Sequence, residues 1–265
     1  MNINSGVGLY LLLLLMVVTS VVTAQTQLGD NPNGVNWKLW TGPAVDFTFT
    51  KKLEFSLNYQ RSYDLKPEFR LVFTQSAASF QYDFTRYFSL KAGVIGTEYL
   101  STGNRTHRYF IRTTINANLG KKISWSNGIQ VEKHSCEEYR YDFRFIYITR
   151  LGLKKRIPFM KLAPSVSYWI YYNLGGNRIQ YYNSLGEASV KQTPDGLHRG
   201  RLIININSKI TKWLSISTYY LHQNEFNLVG TERGLNVVNP SNGKITRPFN
   251  EYNVIGLSLK FNTQL

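Results

Sequence analysis

Charged and amide side chains recur at every second position through long stretches of the chain, with aromatic and aliphatic side chains between them. From residue 139 to 151, Arg140, Asp142, Arg144 and Arg150 alternate with Tyr139, Tyr141, Phe143, Phe145 and Tyr147. From 107 to 119, Arg108, Arg112, Asn116 and Asn118 alternate with Tyr109, Ile111, Ile115 and Leu119. Arg201, Asn205 and Asn207 oppose Leu202, Ile204 and Ile206, and Glu54, Ser56, Asn58 and Gln60 oppose Leu53, Phe55, Leu57 and Tyr59. Guanidinium and carboxylate groups gathered on one face admit two chemistries. Mutually paired, they fill and close a polar interior. Left unpaired, a ring of Arg attracts anions. The candidate cluster is Glu54, Arg108, Arg112, Glu132, Arg140, Asp142, Arg144, Arg150 and Arg201, in which guanidinium groups outnumber carboxylates.

Other chemistry has weaker support. His107, His134, His198 and His222 fall at strand ends beside the longer loops, at one common level. Four imidazoles there would suit a metal or a pH-sensitive patch, but no ligand spacing links them, so no metal or other cofactor is expected. A Ser activated by His would draw on Ser101 near His107, or on His134-Ser135. Adjacent strand residues point to opposite faces, and no G-x-S-x-G elbow is present, so no catalytic residue is expected. The single Cys136 excludes an intrachain disulfide framework. Lys51-Lys52, Lys121-Lys122 and Lys154-Lys155-Arg156 are basic turns, either solvated or set against anionic headgroups. Nucleic-acid binding needs a contiguous basic face, whereas these charges are spread around a rim.

Alternation at period two separates the two residue classes, which a helical period would mix. Eleven strands are expected near 37–49, 53–63, 69–82, 87–100, 107–119, 123–134, 139–151, 160–173, 198–210, 213–224 and 250–262. Ser76, Ala77, Ala78 and Ser79 blur the faces of the third, which suggests a bulge there. Strands of 11–14 residues exceed those of soluble sandwiches and suit tilted membrane strands. Turns near 50–52, 83–86, 120–122, 154–158 and 211–212 are very short, whereas 174–197 and 225–248 are long. That sorting belongs to outer-membrane barrels, with the short turns periplasmic. The expected fold is therefore an all-β transmembrane antiparallel barrel. Even strand counts are the rule in such barrels, so twelve strands are expected, with ten as the alternative.

Residues 9–22 form an apolar run leading to Val22-Thr23-Ala24, which reads as a signal peptide cut after Ala24. The expected organisation is a signal peptide at 1–24, a lead-in at 25–36 and a barrel at 37–265. Beyond the signal there is no apolar stretch of the length a transmembrane helix requires. Aromatic residues make up 14% of the chain, and the net charge is +15. Tyr and Trp gather where membrane meets water, and the charge calls for an anionic partner.

The pattern resembles an uncharacterised family of Bacteroidota outer-membrane barrels known as domain of unknown function 2490. The stretch from Lys51 through Arg61, His107-Arg108-Tyr109-Phe110, and residues 139–156 carry the resemblance across nearly the whole mature chain. The family implies a barrel and no activity that transfers to residues. Gly256-Leu257-Ser258-Leu259-Lys260-Phe261 also resembles the terminal strand signal read by the barrel-assembly machinery, although Asn262 to Leu265 follow the aromatic. The expected function is a non-enzymatic outer-membrane barrel, structural or a narrow pore with an Arg-rich lumen. Its expected partners are outer-membrane lipids, lipopolysaccharide and the assembly machinery, and no nucleic acid. A barrel enzyme modifying lipid or lipopolysaccharide is the alternative, and a secreted glycan-binding β-sandwich is a weaker one.

Overall fold

The computed structural model describes residues 36–65, 69–228 and 233–264. The signal peptide, its cut site and residues 25–35 of the lead-in lie outside the described residues. The first eight strands are β1 (Asn36–Thr48), β2 (Leu53–Asp64), β3 (Arg70–Asp83), β4 (Phe88–Tyr99), β5 (Arg105–Leu119), β6 (Ile123–His134), β7 (Phe143–Leu153) and β8 (Leu162–Leu174). A hairpin of β9 (Ile179–Tyr182) and β10 (Ala188–Gln192) precedes β11 (Gly196–Lys209) and β12 (Leu214–Glu225). A second, smaller hairpin of β13 (Val237–Val238) and β14 (Ile245–Thr246) precedes β15 (Tyr252–Gln264).

Eleven of these strands form one closed barrel, in the order β1-β15-β12-β11-β8-β7-β6-β5-β4-β3-β2. Neighbours are antiparallel except at the seam, where β1 runs parallel to β15 from Asn36↔Tyr252 to Thr48↔Gln264. Among the described residues the count is eleven, within the expected ten to twelve and equal to the number of alternating segments in the sequence, and only the preference for an even number fails. Each connection reverses the chain, so the first and last of an odd number of strands run the same way. Such a barrel closes only through a parallel ladder, whose evenly spaced, slanted bonds are nearly as stable as antiparallel ones. In consequence Asn36 lies at the loop rim and Gln264 at the turn rim.

The polarity of a soluble domain is inverted here. On β6, Ile129 is 57% exposed, whereas its neighbours Gln130 and Glu132 are 3% and 2% exposed. Outward Phe80, Ile111, Phe145, Ile204 and Leu257 are exposed, and inward Ser62, Arg144, Arg199 and Gln223 are buried. Exposed apolar and buried charged residues are the informative exceptions to ordinary burial. The interior is not wholly polar, however. Ile146, Ile148 and Tyr171 form one apolar cluster, and Leu221, Tyr252 and Val254 form another. A barrel this narrow fills with side chains. Glycine makes part of the fit: a Cβ on Gly256 would lie 2.0 Å from the Tyr219 ring, and one on Gly93 would lie 2.9 Å from the Phe110 ring. Each ring belongs to the residue directly across the ladder from its glycine.

Two local expectations are corrected. Pairing is continuous through Ser76 to Ser79, and the register shift falls instead beside Val72, between the pairs Ser62↔Phe73 and Tyr63↔Leu71. The small residues had blurred the face without changing the spacing. The seventh strand begins at Phe143, not 139. Residues 135–142 form a loop, and Tyr141 turns inward rather than sharing the outward face of Phe143 and Phe145.

Candidate functional site

The charged interior is organised by register. Glu132 on β6 stands directly across the ladder from Arg144 on β7. Its Oε2 accepts from Arg144 Nε at 2.9 Å and Nη2 at 2.6 Å, while Gln130 donates to Oε1 at 2.5 Å. His134 Nε2 lies 3.3 Å and Arg108 Nε 3.8 Å from the same carboxylate. Arg144 also donates to the Tyr141 hydroxyl at 2.9 Å. Arg199 and Glu225 repeat the arrangement as cross-strand partners on β11 and β12, at 2.8 and 2.5 Å. Between the two pairs sits Tyr171, with the guanidinium carbons of Arg144, Arg199 and Arg201 at 5.1, 5.8 and 5.1 Å from its ring centre. At this end of the interior each carboxylate accepts two guanidinium N–H groups on a single oxygen, and cation–π contacts link the two pairs through Tyr171.

Closer to the turns, the cations have neutral partners. Arg112 Nε donates to Gln130 at 2.6 Å, and its guanidinium lies 5.3 Å from the Trp169 ring centre. Gly128 lies beside that path, since a Cβ there would stand 3.9 Å from Arg112 Cδ. Arg201 donates to Gln223 at 2.7 Å and to the Tyr252 hydroxyl at 3.0 Å, and Arg150 donates to Ser165 at 3.1 Å. Among the described residues none of these three guanidinium groups has a carboxylate within ion-pair distance. Lys91 stands directly opposite Arg112 on the ladder, an arrangement of like charges that is unfavourable by itself. The nearby carboxylates are engaged: Asp46 pairs with Lys260, and Glu54 accepts from Ser56 at 3.2 Å. A cavity of about 240 Å³ among Trp40, Gly42, Asn58, Gln60, Gln75 and Tyr219 occupies the sector around the seam.

Of the expected cluster, Glu54, Arg108, Arg112, Glu132, Arg144, Arg150 and Arg201 lie on inward-facing strand positions. Arg140 and Asp142 do not. Both are exposed in the loop 135–142, because the strand begins only at Phe143. Sequence reasoning missed Asp46, Lys91, Arg199, Glu225 and Lys260. Arg199 could have been found by carrying the Arg201 face two residues back, and Glu225 by extending the expected strand 213–224 by one residue.

The histidines share a level but not a face. His134 is inside beside Glu132, and His198 is fully buried against the Pro194 and Phe226 carbonyls. His107 is exposed, and His222 pairs with Asn253 at 2.9 Å. Among the described residues no group of His, Cys, Asp or Glu is placed to hold a metal. Ser135 accepts from the His107 backbone at 3.0 Å. The loops pack on one another beyond this end: the Tyr181 hydroxyl donates to the Gly234 carbonyl at 3.1 Å, and Arg247 donates to the Tyr139 carbonyl at 2.7 Å. Burial pushes the Tyr181 hydroxyl up to about 12, so it remains a donor at neutral pH. In comparisons with known proteins, the chain matches no family model and no curated protein.

Proposed function

We propose that this chain is an exported, non-enzymatic outer-membrane barrel whose interior is a narrow path attractive to anions. The inverted polarity carries the reading: exposed aliphatic and aromatic side chains ring the outside, while ionised groups are buried within. Water offers no reason to expose such a belt, whereas a bilayer does. The signal-like segment at 1–24 and the resemblance to domain of unknown function 2490 support the same placement, with assembly machinery and outer-membrane lipids as partners. The preference for anions rests on Arg112, Arg150, Arg201 and Lys91, inward cations without a carboxylate in ion-pair contact among the described residues, because such groups raise the positive potential of a pore.

Two measurements test the two parts. Membrane fractionation with heat-modifiable gel mobility should place the protein in the detergent-extractable outer-membrane fraction. Recovery in the soluble fraction would overturn the architecture in the membrane. Reversal potential in a planar bilayer under a salt gradient should show anion selectivity, reduced in Arg112→Ala with Arg201→Ala. Cation selectivity would refute the charged path. A silent bilayer would favour a plugged structural barrel, toward which the paired charges of the loop end already point.

A further inference from the structure

We infer that the turn rim is a docking surface for the phosphodiester headgroups of anionic phospholipids in the leaflet it faces; this rests on the membrane placement proposed above. Three of the five short turns use one device: Phe49-Thr50-Lys51-Lys52, Phe84-Thr85-Arg86-Tyr87 and Ile210-Thr211-Lys212-Trp213. In each, the Thr hydroxyl oxygen accepts from the backbone N–H groups two and three residues ahead, at 2.9 to 3.2 Å. The hydroxyl thus closes the turn and sets the basic residue at its tip. The other two turns place Lys121-Lys122 after Gly120, at a φ of 65°, and Lys154-Lys155-Arg156 before Pro158.

Every cation in these turns is exposed, and no acid stands in any of them. The acids near this end, Asp46, Glu54 and Asp83, occupy inward strand positions. At the opposite rim the loops mix both signs; residues 135–142 alone carry Glu137, Glu138, Arg140 and Asp142. The charge asymmetry therefore belongs to one rim rather than to the whole surface. Exposed rings flank the basic tips, with Phe49, Phe84, Tyr87 and Trp213 all at least 44% exposed. Rings of this kind at headgroup depth, with cations just beyond them, match the layering of a negatively charged membrane surface. Three cations are already engaged: Lys154 donates to the Gly120 carbonyl, Arg156 to the Lys161 and Asn207 carbonyls and the Asn207 side chain, and Arg86 lies 4.5 Å from the Tyr87 ring centre. Among the described residues the ammonium groups of the remaining turn lysines have no hydrogen-bond or ion-pair partner, which leaves their charge for the lipid.

The test uses the full mature chain, folded in mixed micelles holding equal amounts of phosphatidylglycerol and phosphatidylcholine with identical acyl chains. Lipid retained after gel filtration is quantified by mass spectrometry. The wild type should retain about threefold or more phosphatidylglycerol over phosphatidylcholine. Replacing Lys51, Lys52, Lys121, Lys122, Lys155 and Lys212 by Gln should bring the ratio to near one, while replacing the loop cations Arg178, Lys191 and Lys244 by Gln should leave it unchanged. If the turn variant fails to fold by heat-modifiable mobility, a salt titration of the wild type replaces it, and the preference should fade as salt rises. Equal retention by a folded, membrane-extracted wild type, or a preference that follows the loop cations, would overturn the inference and leave the barrel placement intact. Absence from the membrane fraction would instead overturn the placement.

Discussion

Arg144 and Arg112 occupy the same face of the same wall, yet their surroundings differ because of what register sets across the ladder. Arg144 faces Glu132 and donates two hydrogen bonds to one of its carboxylate oxygens. Arg112 faces Gln130 on one side and Lys91 on the other. Identical residue types thus become an ion pair near the loops and, nearer the turns, a cation whose partners are a neutral amide and an aromatic ring. Pairing inside a barrel is a property of strand register, and composition alone does not reveal it.

The largest effect should come from breaking the paired region. Glu132→Ala leaves a buried Arg144 and a half-buried Arg108 without their carboxylate, and should cost about 3–5 kcal/mol in a urea refolding titration. Replacing both partners, Glu132→Leu with Arg144→Met, should restore most of that loss, since an apolar pair of similar volume is often neutral or better. A double variant as unstable as the single one would show that the cluster is held by more than its charges.

Charge placed on the outer face gives the next effect. Ile204→Arg, near the middle of β11, should cost about 2–4 kcal/mol, and Phe145→Arg, nearer the loop rim, should cost less. Asn205→Arg should be tolerated. Ile148→Arg should not be, although it faces inward, because Ile148 packs with Ile146 and Tyr171. Equal losses at Ile204 and Asn205 would mean the faces are assigned wrongly.

The smallest change is expected where cations already oppose one another. Lys91→Met removes a like-charge neighbour of Arg112 and should leave stability unchanged or raise it by about 0.2–1 kcal/mol. Clear destabilisation would show that Lys91 is satisfied by Glu54 or Asp46 across the interior.

Strand positions and faces were legible because alternation is a local property, and the run Leu53–Gln60 displays it without interruption. The cluster was legible where it lay within such runs. Tyr141 misled because it continues the alternation past the point where the backbone leaves the wall. Lys91 stood in a weakly patterned strand, between Leu90 and Ala92. Closure was not legible at all: whether β1 meets β15 in parallel depends on the curvature of eleven strands together, and no short window of residues encodes it.

That seam also governs how fast the barrel can be completed. It places residue 36 beside residue 252, so its ladder must wait until almost the whole chain has been brought into order. Contacts between such distant segments form slowly. Until they form, β1 and β15 both present unpaired N–H and C=O groups, an invitation to pair with another chain. The lifetime of the unclosed sheet, rather than the stability of the finished one, should therefore set the yield of correctly assembled protein.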